Sequence, residues 1–78
     1  MVRKEGHMYV FAQAVKDGSF SAAARNLHLT PSAISKQISA LEERLGVRLL
    51  NRTTRKIILT EAGNRYFQYV EKILNDIE

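Results

Sequence analysis

Thr30-Pro31 constrains this chain more than any other pair of residues in it. A threonine can accept a free N–H at the start of a helix. Proline suits the first helical position because its φ is preset and it has no N–H to waste. Downstream, Ile34, Ile38, Leu41 and Leu45 recur four, three and four residues apart, one apolar stripe that Gly46 is placed to stop. The spacing predicts a helix from Pro31 to Leu45. Upstream, Ser21 can cap a short helix that reaches Asn26 or Leu27 and buries Ala23, Ala24 and Leu27. Only His28 to Thr30 remain between the two helices, a linker short enough to force a sharp helix-turn-helix.

The flanks complete one small domain. Met8, Phe11, Ala12 and Val15 form a helical stripe, so a first helix is expected from about Arg3 to Asp17, with Gly18 at its left-handed end. After Gly46 the pattern turns β-prone: Val47, Leu49 and Leu50, a basic Asn-Arg-Thr-Thr-Arg tip, then Ile57, Ile58 and Leu59. This predicts a small hairpin, or wing, over about 47–60. Thr60 can cap a last helix with Ala62, Tyr66, Val70, Ile73 and Ile77 on one stripe and Phe67 and Leu74 on a second. A three-helix core with a small wing is not expected to bury both stripes, and an exposed apolar stripe marks an interface. Tyr66, Phe67, Val70, Ile73, Leu74 and Ile77 are therefore the expected contacts of a two-fold symmetric homodimer. The expected architecture is mostly α: a winged helix-turn-helix over 1–60 and a linker or dimerisation helix over 61–78.

The outward face of the Pro31–Leu45 helix is bare. Opposite its apolar stripe lie Ser32, Ser35, Lys36, Ser39 and Glu43, where a solvated face would normally carry long charged side chains. Short side chains let a helix backbone approach base edges, and a helix N-terminus favours phosphate. Glu42 and Glu43 sit in the second half, where phosphates would repel them, so the N-terminal half is the end that enters a major groove. Charge is distributed accordingly. Between Gly18 and Thr60, seven basic residues (Arg25, Lys36, Arg44, Arg48, Arg52, Arg55 and Lys56) stand against Glu42 and Glu43. The segment from Glu61 onward is acidic, within a net charge of +4 for the 78 residues. A basic middle implies a polyanionic partner, and Arg52, Arg55 and Lys56 at a hairpin tip can reach a backbone or a minor groove.

Other classes lack their ingredients. The chain has no cysteine, so it forms neither disulfides nor thiolate metal sites. No apolar run approaches the roughly 18 residues of a membrane span, and the N-terminus lacks a signal-peptide core, so a cytoplasmic protein is expected. His7 and His28 are 21 residues apart without acidic residues at ligand spacing, and no serine sits in a G-x-S-x-G context. The glycines are isolated, so there is no phosphate loop. Neither an enzyme nor a cofactor site is expected. The alternative to DNA binding is a winged helix used only for protein–protein contact, which an acidic outward face would favour; this face is not acidic.

The segments "GSFSAAA", "SAISKQISALEERLGVRLLNR" and "LTEAG" closely resemble the DNA-binding domain of LysR-type transcriptional regulators, over nearly the whole chain from about Met8. "LLNRTTR" looks like the subgroup of this family whose wing carries that stretch. The resemblance implies sequence-specific binding of double-stranded DNA. Contacts would come from Thr30, Pro31, Ser32, Ser35 and Lys36 on the recognition helix and from Arg52 and Arg55 on the wing. Ser21, Ser39 and Thr53 complete the candidate DNA-facing set. It further implies a dimer formed through the last helix on an inverted-repeat operator. A larger domain after that helix would bind a small-molecule inducer, so the chain is read as the N-terminal fragment of such a protein.

Overall fold

In the computed structural model, residues 6–51 and 56–77 are described. They form, in order, α1 (His7–Asp17), α2 (Phe20–Leu27), α3 (Pro31–Leu45), β1 (Leu50–Asn51), β2 (Ile58–Leu59) and α4 (Glu61–Ile77). Helix α1 is the hub, packing against α2, α3 and α4. Its Val10, Phe11 and Ala14 join Ala23 and Ala24 of α2, Ile34, Ile38 and Leu41 of α3, and Leu49 and Leu50 in one core. Phe11 is the largest fully buried side chain among the described residues, and its ring meets Tyr66 at 5.6 Å and Phe67 at 6.4 Å on α4. The two alanines of α2 leave room for its neighbours to come close, which lets so short a helix share the core.

Local capping chemistry sets most helix ends. The Gly18 N–H bonds Ala14 O at 3.0 Å with φ 79°, closing α1. The Thr30 hydroxyl accepts from Ala33 N–H at 3.1 Å with Pro31 at the first helical position, as the sequence predicts. The Thr60 hydroxyl accepts from Gly63 N–H at 2.9 Å and starts α4. Helix α2 departs from expectation. Ser19, not Ser21, is its cap, extended at φ −157° and accepting from Ala22 N–H at 3.1 Å. Both serines are competent caps. Starting at Ser19 draws Phe20 into the helix, where it packs against the core, whereas starting at Ser21 would leave Phe20 outside.

Three apolar expectations are also revised. Leu45, the last residue of the α3 stripe, is 40% exposed, because the chain turns away at Gly46 before anything covers it. The two stripes of α4 form one broad face, since positions 66, 67, 70, 73 and 74 all fall within about 120° of arc at 100° per residue. Tyr66 and Phe67 both pack on the core, and Val70 is fully buried inside the protomer, so Val70 has no surface to offer a partner. Glu42, read from the sequence only as a charge in the second half of α3, is 5% exposed. Among the described residues no helix is long and apolar enough to cross a membrane.

The hairpin is minimal. Its two strands pair antiparallel with Leu50 opposite Leu59 and Asn51 opposite Ile58, so Leu50 turns inward while Asn51 and Ile58 face out. Ile57 N–H reaches Gly18 O at 3.4 Å, tying the returning strand to the α1–α2 turn.

Candidate nucleic-acid interface

The turn between α2 and α3 is built from backbone bonds. His28 adopts the left-handed conformation at φ 57°, its N–H bonds Arg25 O at 3.4 Å, and Leu29 N–H bonds Ala24 O at 2.8 Å. This paired pattern ends α2 within one residue. Leu29 then packs on the core and anchors the turn. At the α1–α2 junction, one oxygen of Asp17 accepts from both Gln13 (2.9 Å) and Asn26 (2.8 Å), so a single carboxylate links the two helices. With α1 and α2 fixed, α3 seats Ile34 and Ile38 in the core and turns the other side of its N-terminal half outward.

That half presents the predicted residues together. Thr30, Pro31, Ser32, Lys36 and Ser39 are exposed and Ser35 is half-buried, while Ile34 and Ile38 are fully buried on the opposite side. Thr30, Ser32, Ala33, Ser35, Lys36 and Ser39 line one shallow, open concavity. The first turn of α3 carries no acidic residue, so nothing opposes an anion at its positive end. The exposed carboxylate of α3 is Glu43, past Ser39, and the gradient along the helix rests on it without Glu42. Ser21 is exposed in the first turn of α2.

On the hairpin, Lys56 is exposed next to β2 and Arg48 is exposed before β1. Arg52, Thr53 and Arg55, the predicted wing contacts, lie outside the described residues, as does the side chain of Ile77. Of the remaining residues assigned to an interface on α4, Tyr66, Phe67, Ile73 and Leu74 are half-buried. Tyr69, which the sequence did not place there, is 60% exposed. Among the described residues no cluster of histidine, aspartate and glutamate suits a metal ion.

Sequence reasoning missed the junction that holds the hairpin to α3. Glu42 Oε2 accepts from the N–H groups of Leu49 at 2.8 Å and Leu50 at 3.1 Å, and Oε1 lies 3.8 Å from the Arg48 guanidinium. A carboxylate can occupy so buried a place only because donors converge on it. One signal was present: position 42 adjoins the apolar stripe at Leu41 and Ile38, which places it near the core side of the helix.

Three helices, a two-strand hairpin and a bare-faced helix after a tight turn define a winged helix-turn-helix of the DNA-binding kind. The family described as bacterial regulatory helix-turn-helix protein, lysR family, matches residues 6–64. The chain is 52% identical over 68 residues to the HTH-type transcriptional regulator CrgA of Neisseria meningitidis, covering 87% of this chain and 23% of that protein. It is 51% identical over 71 residues to the HTH-type transcriptional activator AaeR of Escherichia coli, covering 91% of this chain and 23% of the relative. Among solved structures, the DNA-binding domain of BenM in complex with its catB site 1 DNA superposes with a TM-score of 0.86 at 37% identity, over 91% of this chain and 76% of the other. The CbnR DNA-binding domain in its DNA complex gives 0.82 at 38% identity, over 88% and 79%. The chain belongs to the lysR family of bacterial regulatory helix-turn-helix proteins, and it spans about a quarter of the length of these curated relatives.

Proposed function

We propose that this chain binds double-stranded DNA in a sequence-specific manner, as the DNA-binding part of a LysR-type transcriptional regulator. Helix α3 enters the major groove N-terminus first, and the hairpin meets the flanking backbone or minor groove. The observation that carries this reading is the outward face of α3. Exposed Ser32, Lys36 and Ser39 flank half-buried Ser35 beside a capped, acid-free helix start, so the backbone can come within reach of base edges. The likeness to BenM and CbnR domains, both solved in complex with DNA, supports DNA as the partner. Two copies, joined at least partly through the apolar face of α4, would place two α3 helices on an inverted repeat. A DNA partner puts the protein in the cytoplasm.

Selection from randomised duplexes followed by affinity measurements on single-base variants tests this. The parent chain is expected to select a defined half-site, with affinity falling steeply as salt rises. Lys36→Ala is expected to lose about 1–3 kcal/mol at the preferred site and to relax preference at one position if Lys36 reads a base. It does not touch the Ile34–Ile38–Leu41 side, so its melting temperature should match the parent's. Uniform weakening across all variants would reassign Lys36 to phosphate. Identical binding by parent and variant would remove it from the interface.

A further inference from the structure

Glu42 accepts from four backbone N–H groups of the chain that leaves α3. Its backbone carbonyl accepts from Gly46 N–H at 2.8 Å and Val47 N–H at 3.3 Å, and its side chain accepts from Leu49 and Leu50 at 2.8 and 3.1 Å. Thr60 grips the same segment from the other side. Its N–H bonds Leu49 O at 3.0 Å, its hydroxyl donates to Arg48 O at 2.6 Å, and that hydroxyl also accepts from Gly63 N–H. Residues 48–50 are therefore a strap, with N–H groups taken by α3 and carbonyls by the start of α4. An apolar side chain at position 42 would leave the buried N–H groups of Leu49 and Leu50 without an acceptor, so the acid's contribution is to satisfy those two donors and fix their direction.

Direction matters at this place because Leu50 is the first residue of β1. Strands of two residues cannot hold a hairpin's orientation by themselves. The hairpin takes its orientation from its base, and the base is the strap. We infer that Glu42, with Thr60 opposite, is a positioning residue for DNA binding: it registers the base of the hairpin against the recognition helix, so that exposed Arg48 and Lys56 meet the duplex at a fixed offset from α3. This rests on the reading that α3 and the hairpin share one duplex.

Two substitutions separate reach from charge. Glu42→Gln keeps a carbonyl acceptor at full length and loses the charge. Glu42→Asp keeps the charge and withdraws it by one methylene, about 1.5 Å. Each is measured well below its own melting temperature, on the selected site and its single-base variants, across a salt series. Glu42→Asp is expected to bind about tenfold more weakly at every site, with site ranking unchanged and a salt slope shallower by about one or two counterions, because the loss falls on phosphate contacts. Glu42→Gln is expected to stay within about threefold of the parent and keep its slope, since the amide clamp survives.

Thr60→Val removes the hydroxyl's hold on Arg48 O while its N–H stays on Leu49 O, and is expected to weaken binding at every site in the same direction as the Asp variant, so the inference remains testable if Glu42→Asp does not fold. A folded Asp or Val variant with parent affinity and slope overturns the inference. So does a Gln variant that binds every site more tightly, which would make Glu42 no more than a repelling charge. Absence of DNA binding by the parent would overturn the proposed function and this inference together. Weakening by Lys36→Ala beside parent-like binding by Glu42→Asp would overturn the inference alone.

Discussion

Single residues in this chain carry distinct and separable tasks. Ser19 and Ser21 are the same side chain two positions apart, yet only Ser19 satisfies a backbone donor of α2. Ser19→Ala is expected to cost about 1 kcal/mol of stability, and Ser21→Ala to stay within about 0.5 kcal/mol, by denaturant unfolding of the two variants. Equal losses would return the cap to both serines. Tyr66 gives a pH dependence. Burial raises its pKa above the usual 10.0, since the phenolate would lose solvation; nearby Arg44 lowers it and Tyr69 raises it, in that order of weight. The folded state thus holds this proton more firmly than the unfolded chain. Its contribution is complete below the unfolded value of 10.0 and is lost as pH rises through the folded one. Melting temperatures followed from about pH 9 to 11 should fall less steeply for Tyr66→Phe than for the parent, because Phe has no proton to release. Parallel curves would count against a buried phenol.

At the scale of elements, α4 and the strap meet in a very close backbone approach. Gly63 lies against Leu49 so closely that an added Cβ would sit 2.0 Å from Leu49 O, a backbone atom with nowhere to go. Here the glycine is needed for space and not for a positive φ, unlike Gly18 and Gly46. Gly63→Ala is expected to destabilise by about 1–3 kcal/mol, the range for overpacking, despite alanine's better helix propensity. Thermal unfolding checks this; a variant as stable as the parent would mean that α4 can slide on the strap at little cost. The ion pair of Lys16 with Glu71, at 3.2 Å between half-exposed side chains, ties the far end of α1 to α4 but adds little in water.

For the whole molecule, the question is what covers the rest of α4. Val70 is spent on the protomer's own core, and Tyr66 and Phe67 are partly spent there. Ile73 and Leu74 remain half-buried and Tyr69 largely exposed, a smaller and more C-terminal apolar surface than the stripes alone suggested. We propose that this surface meets a second copy. Ile73→Glu or Leu74→Glu is expected to shift sedimentation at tens of micromolar toward monomer, because a charge would have to be buried unpaired. The parent should sediment at least partly as dimer under the same conditions. A parent that is monomeric both free and on DNA would exclude a dimer built from this face alone.

The parts of the molecule that were legible in the sequence share a short range. Thr30-Pro31, Gly46, Thr60 and the Ile34–Ile38–Leu41 stripe set their elements through bonds and periodicity within a few residues, so the helix-turn-helix and the residues clustered on α3 could be read directly. Ser19 over Ser21, the exposure of Leu45 and the burial of Glu42 and Val70 could not. Three of these depend on partners distant in the chain, namely the core that Phe20 reaches, residues 48–50 that bring their donors to Glu42, and α1 lying along α4; Leu45 is exposed because no later part of the chain covers it. Local chemistry decides where a helix begins and which face is apolar. Which of two competent caps is used, and whether an acid at the edge of a stripe meets water or backbone donors, is decided only when the elements pack.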